Sequence, residues 1–299
     1  MPYKTTIKCT LALACALTIT FGNGAHAEIQ HGEASQVSGG IVQELGGNQR
    51  INLSGKLRML SQRIPAAACN LNAGIAAEDS RAVLSGAVEE FALILDALEH
   101  GNDDLGIYGP EERARTLRTI EELHDKLEPI LTVLEDGSGE VPNDNAIQLI
   151  ADENINILVT ANLLVSEISG EYSNPAELLQ SDAITIDIAG RQRMLTQKVS
   201  KEICLTLSRV NESSSRETLG NTIHMFEASL DALQYGMENV GIQPPPNTEI
   251  AEGLVIVRSD WNDMKPYLDA IDAGQKLTSA ERATVFLGLN RTMADMNRV

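Results

Sequence analysis

The chain is written twice. Displaced by 135 residues, Gly55, Arg58, Met59, Leu60, Gln62 and Cys69 fall on Gly190, Arg193, Met194, Leu195, Gln197 and Cys204, while Ser61 and Arg63 meet Thr196 and Lys198. The same ungapped register carries Phe91, Leu95, Asp96, Ala97, Leu98, Gly101, Gly106 and Ile107 onto Phe226, Leu230, Asp231, Ala232, Leu233, Gly236, Gly241 and Ile242. Further along the displacement becomes 137, matching Pro129 and Gly137 to Pro266 and Gly274, then 128, matching Glu153 and Asn162 to Glu281 and Asn290. The shifts fall in connectors rich in Gly, Pro, Asn or Ser: Gly101 to Pro110, Asp136 to Asn143, Gly170 to Pro175, Gly236 to Asn247 and Asp272 to Thr278. Any fold for this chain must therefore be one module built twice.

Between the connectors lie eight stretches with apolar residues at helical spacing, four in each half. Only 3% of residues are aromatic, which suits helices packed through aliphatic seams, and alternating β-branched runs are few. Amphipathic helices joined by short turns bury their stripes most simply as an antiparallel bundle. The expected fold is all-α, with two tandem antiparallel four-helix bundles: module 1 over residues 28–172 and module 2 over 173–299, divided near Glu171 to Pro175. Ser173-Asn174-Pro175 reads as a helix start with Pro in the first turn. A single interlaced eight-helix bundle is the alternative. Gly39, Gly40, Gly46 and Gly47 blur the start of the first helix.

Residues 1–27 have the pattern of a cleaved secretory signal: Lys4 and Lys8, an apolar run from Cys9 to Phe21, and Ala25-His26-Ala27 as the cleavage site. Its removal takes the formal charge from −19 to −21 over 272 residues, a balance that repels nucleic acid and anionic lipid. No later segment reads as long and apolar enough to cross a membrane, so the expected mature protein is soluble and periplasmic, or outside the cell. Cys69 and Cys204 would then lie where disulfides persist.

On a helical wheel Leu53, Leu57, Leu60, Ile64, Ala67 and Leu71 share one face, which should pack inside module 1. Ile51, Gly55, Arg58, Gln62 and Cys69 line the opposite face, as do Ile186, Gly190, Arg193, Gln197 and Cys204 in the second copy. Two copies can diverge independently, and an ordinary solvated face has no reason to stay alike. Ile and Cys favour burial, Gly admits a close neighbour, and Arg presents a permanently charged fork of donors. This combination describes a contact between helices with an oxyanion site inside it. If the two first helices pair in parallel about a pseudo-twofold axis, Arg58 and Arg193 converge and a small planar anion between them offsets their repulsion. Gln62 and Gln197 add amide donors one turn on. The competing reading gives Arg58 and Arg193 ordinary salt bridges to protein carboxylates.

The segments GKLRMLSQRI (Gly55 to Ile64) and GRQRMLTQKV (Gly190 to Val199) resemble the signature of the PilJ-type domain, the N-terminal ligand-sensing domain of type IV pilus chemotaxis transducers. That domain is similar to the periplasmic nitrate/nitrite sensor domain of the NarX and NarQ histidine kinases. The resemblance covers essentially the whole mature chain as two copies, with the Phe-x-x-x-Leu-Asp-Ala-Leu block as a second match. It implies a helical bundle in which the motif Arg of each first helix contacts one anion at the dyad. By position this implicates Arg58 and Arg193, with Gly55 and Gly190 permitting close approach and Arg63 and Lys198 as supporting basic positions. Transmembrane, linker and kinase or methyl-accepting regions are absent from the pattern, so the expected partner is a membrane receptor or pilus-linked protein. The paired modules suggest that one chain imitates the receptor dimer.

Cys69 follows Arg58 by three helical turns and returns to the same face. Equivalent residues meet across a parallel dyad, so a Cys69–Cys204 disulfide is geometrically allowed; two buried thiols are the alternative. Pro65 invites a kink between them. Catalysis has little support. His31, His100, His124 and His224 show no paired spacing for zinc, Glu121 and His124 form only half of a di-iron pattern, and no cofactor is expected. Two classes of function stay open: a small-anion sensor or binding protein, and a structural or interaction module.

Overall fold

The computed structural model describes residues 46–135, 141–173 and 180–299. The expected signal at 1–27, with Gly39 and Gly40, lies outside them, as does most of the expected helix start at Ser173 to Pro175. Among the described residues the chain forms eight α-helices and no strand beyond two isolated bridges. They are α1 (Gly47–Asn72), α2 (Ala77–His100), α3 (Ala114–Glu135) and α4 (Asp144–Tyr172), then α5 (Gln180–Leu207), α6 (Glu212–Tyr235), α7 (Thr248–Asp272) and α8 (Ser279–Met296). In the first four, α1 packs on α2 and α4, and α3 on α4; in the second four, α5 packs on α6 and α8, and α7 on α8. The fold is all-α, in tandem bundles.

Each bundle closes around aliphatic side chains. Leu57, Leu60 and Ile64 of α1 are fully buried in one core with Phe91, Ile94, Leu95 and Leu98 of α2 and the α4 stripe of Ile150, Ile157, Leu164 and Ile168, and Ala67 and Leu71 further along the same face are buried too. Module 2 repeats the plan with Leu195 and Val199, Phe226 and Leu230, and Leu289, and it stacks Phe226 on Trp261 with ring centroids 4.0 Å apart. The connector of each half has one form. Asn102 and Ile107 bridge around a single 3₁₀ turn in module 1, and Met237 and Ile242 do the same in module 2.

α1 begins where Gly46 takes φ 69°. A Cβ there would sit 1.9 Å from the Gly106 carbonyl oxygen, so only glycine lets the helix start against its own connector. Arg50 then turns inward, donating to the carbonyls of Leu98, at 3.0 Å, and Gly109, at 2.5 Å, beside Glu111 and the Tyr172 ring.

Two expectations are corrected. The α4 helix reaches Tyr172, so Gly170 and Glu171 lie inside a helix and not in a connector. It is also long and apolar enough, by length and composition, to cross a membrane, although here its apolar face is the wall of the module 1 core. Pro65 lies inside α1, which runs unbroken from Gly47 to Asn72, as Pro129 and Pro266 lie within α3 and α7.

Candidate functional site

The largest helix contact in the molecule is between α1 and α5, one from each copy. Pairs of touching residues rise together along both helices: Arg58 with Asp187, Gln62 with Lys201, Cys69 with Cys204. The two helices therefore run parallel, and the repeated stripe of each faces the other. Gly55, Arg58, Gln62, Cys69, Gln197 and Cys204 are buried there, whereas Ile186, at 54% exposure, lies open at the upper end and does not join the seam. A disulfide joins Cys69 to Cys204 at the lower end, with Cα atoms 6.1 Å apart.

The two arginines meet near the top. A Cβ on Gly190 would lie 3.2 Å from Arg58 Nη2 and 3.8 Å from Arg193 Nη2, so these nitrogens are no more than 7.0 Å apart, and a side chain there would crowd Arg58 while touching Arg193. Gly55 provides the matching floor, where a Cβ would lie 3.8 Å from Arg58 Nη2. Ser61 Oγ and Thr196 Oγ1 each donate to the carbonyl of the arginine three residues earlier, both at 2.8 Å, pinning the same turn in both copies. Arg58 donates from Nη1 to Asp187 Oδ1 at 2.9 Å, and its Nε has no partner among the described residues. Arg193 donates from Nη1 to Asn297 Oδ1 at 2.7 Å. Its pKa is lowered, first by burial and then by the neighbouring Arg58 charge.

One turn below, the two glutamines part ways. Gln62 accepts a hydrogen bond at Oε1 from Lys201 Nζ at 2.9 Å and donates to Ser61 Oγ. Gln197 is fully buried, and neither its Nε2 nor its Oε1 has a partner among the described residues. Lys201 stands where the first copy has Ala66. It also donates to Asn154 Oδ1 at 2.9 Å and lies 3.9 Å from Glu202. Burial pushes this ammonium down to about 8, against the opposing pull of Glu202.

Arg63 and Lys198 are engaged away from the paired arginines. Arg63 points its Nη1 at Met293 Sδ and has a pKa lowered by burial, while Lys198 donates to Glu202 and Thr222. Sequence reasoning missed Asp187, Asn297 and Lys201. Comparison of the copies finds what they share, and these residues belong to one copy only. No group of three or more His, Cys, Asp or Glu is placed to hold a metal among the described residues. His124 is half exposed, 3.9 Å from Glu99.

This arrangement can hold a small anion chemically: two guanidinium groups from different helices, a glycine floor, an unpaired Nε and an unpaired amide. Among the described residues one carboxylate, that of Asp187, itself 40% exposed, reaches into it. Residues 41–151 and again 177–286 match the family model described as the type IV pili methyl-accepting chemotaxis transducer N-terminal domain, PilJ. No curated protein matches the chain.

Proposed function

The chain belongs to the PilJ family of chemotaxis transducer N-terminal domains, as two tandem copies, and on that premise we propose that it senses or binds a small oxyanion of nitrate, nitrite or carboxylate geometry between Arg58 and Arg193. The observation that carries this reading is the convergence of one guanidinium from each copy, Arg58 buried and Arg193 partly buried, with Arg193 lacking a carboxylate partner among the described residues. Two like charges held this close in a partly desolvated seam repel, and an anion bridging both guanidinium groups converts that repulsion into charge-assisted hydrogen bonds. The anion would couple the first helices of the two modules, so that its arrival alters how they pair. We place the mature protein in the periplasm, handing its state to a membrane receptor or pilus-linked partner, in keeping with the sensory role of its family.

Asp187 favours a second reading, in which the seam is a structural contact and the protein supplies its own counter-ion. The two readings diverge in one experiment. Under the sensory reading Asp187 competes with the ligand, so Asp187→Asn tightens binding of nitrate, nitrite or acetate several-fold by calorimetry, while Arg58→Gln and Arg193→Gln each abolish it. Under the structural reading none of these anions binds the wild type, and Asp187→Asn lowers the melting temperature by stranding Arg58.

A further inference from the structure

The unpaired polar atoms of the seam carry more information than the charges do. Arg58 Nε, both ends of the Gln197 amide and Ser200 Oγ are buried without a hydrogen-bond partner among the described residues. Arg58, Gln197 and Ser200 are themselves 3%, 0% and 2% exposed. Gln197 and Ser200 follow Arg193 on the same helix within two turns, on the side that faces α1. The equivalent glutamine, Gln62, has its oxygen satisfied by Lys201, but the residue that would satisfy Gln197 by symmetry is Ala66, which has no donor. A buried amide left in this state costs free energy, and a ligand that completes it recovers that cost.

The chemistry of the open atoms restricts what can complete them. Arg58 Nε and Gln197 Nε2 are donors and ask for an acceptor. Gln197 Oε1 is an acceptor and asks for a donor, and Ser200 Oγ serves as either. Nitrate, nitrite and acetate offer acceptors only and would leave Gln197 Oε1 unpaired. An amino acid would bring a donor, but as an ammonium close to Arg58, Arg193 and Lys201, with Asp187 and Glu202 as the nearby carboxylates already engaged by those cations or by Lys198. A neutral hydroxyl beside a carboxylate meets both demands. Resting on the anion-site reading above, we propose that the seam selects a small 2-hydroxycarboxylate. Its carboxylate lies between Arg58 and Arg193, and its hydroxyl donates to Gln197 Oε1 while accepting from Gln197 Nε2 or Ser200. The selectivity comes from module 2 alone, because only that copy leaves its glutamine open.

Calorimetry on the full chain with glycolate, acetate, nitrate and glycine tests this directly. Glycolate is expected to bind about tenfold or more tightly than acetate, with glycine weakest, since a site built to pair a hydroxyl rejects the analogue lacking it. Gln197→Leu removes an unpaired buried amide and should fold at least as stably as the wild type; in it, the preference for glycolate over acetate disappears. Ser200→Ala, a smaller change, should narrow the preference. Equal binding of glycolate and acetate, or a preference that survives Gln197→Leu, overturns the hydroxyl assignment and leaves the arginine site standing. No binding by any of the four, or binding indifferent to Arg58→Gln and Arg193→Gln, overturns both.

Discussion

Lys201 shows how much a single residue of a duplicated chain can alter. Where the first copy has the methyl group of Ala66, the second inserts an ammonium into the seam and secures it on Gln62 and Asn154, both from the other module. Burial lowers its pKa from 10.5 to about 8, while the unfolded chain titrates near the higher value. Between these pH values the unfolded state holds the extra proton, so stability is lowest below pH 8 and climbs as pH rises through the window towards 10.5. Chemical denaturation at pH 7.5 and pH 9.5 should show the rise, and Lys201→Met should remove most of it; a wild type whose midpoint falls or stays flat over that interval would contradict the assignment. The shared residues Gly55, Arg58, Gln62 and Cys69, with their partners, were legible in the sequence because both copies kept them. Asp187, Lys201 and Ser200 were not, since they stand opposite Asn52, Ala66 and Pro65 and drop out of any comparison that looks for sameness.

At the scale of helices and turns, the duplication extends to backbone shapes that the residue types hide. The turn from α1 to α2 passes through positive φ at Gly74 (67°) and Ala76 (42°), and the turn from α5 to α6 does so at the equivalent Arg209 (60°) and Asn211 (48°). Neither turn carried a strong signal: one has a single glycine, the other none. The left-handed conformation costs an ordinary residue roughly 1–2 kcal/mol, part of which a glycine recovers. Arg209→Gly should therefore stabilise the protein by about 1 kcal/mol in denaturant titrations, and Gly74→Arg should destabilise it by a similar amount; opposite signs would mean the turns are held by something other than backbone preference. The connectors marked in the sequence succeeded where Gly, Pro and Asn cluster, as at Gly101 to Pro110, and failed at Gly170, an exposed glycine inside α4 where buried Ile168 and Tyr172 carry the helix on. The wheel of α1 was legible for the same reason its core is sound: every position from Leu57 to Leu71 on that face is aliphatic. The matching face of α5 carries Gln192, Glu202 and Thr206 instead, each with a buried polar atom unpaired among the described residues, so the core of module 2 is the more polar one along this helix.

Across the whole molecule, the link between Cys69 and Cys204 joins residues 135 apart in the chain, and so restricts the unfolded state over almost half its length. Closure of so long a loop is worth about 2–5 kcal/mol in proteins of this kind. The Cys69→Ala, Cys204→Ala double variant should lose that much stability relative to the oxidised wild type and match the wild type in reductant; no difference between oxidised and reduced protein would deny the crosslink a role. The tandem plan itself was legible from the repeat, because an ungapped register over two helices leaves little freedom in how they are arranged. The parallel pairing of α1 with α5 has a genetic consequence. In a receptor made of two identical chains every substitution strikes the central site twice, and any gain on one side is imposed on the other. Here each position of the site mutates once, so one wall can be held constant while the other is tuned, and a ligand with a head and a tail can be given a direction.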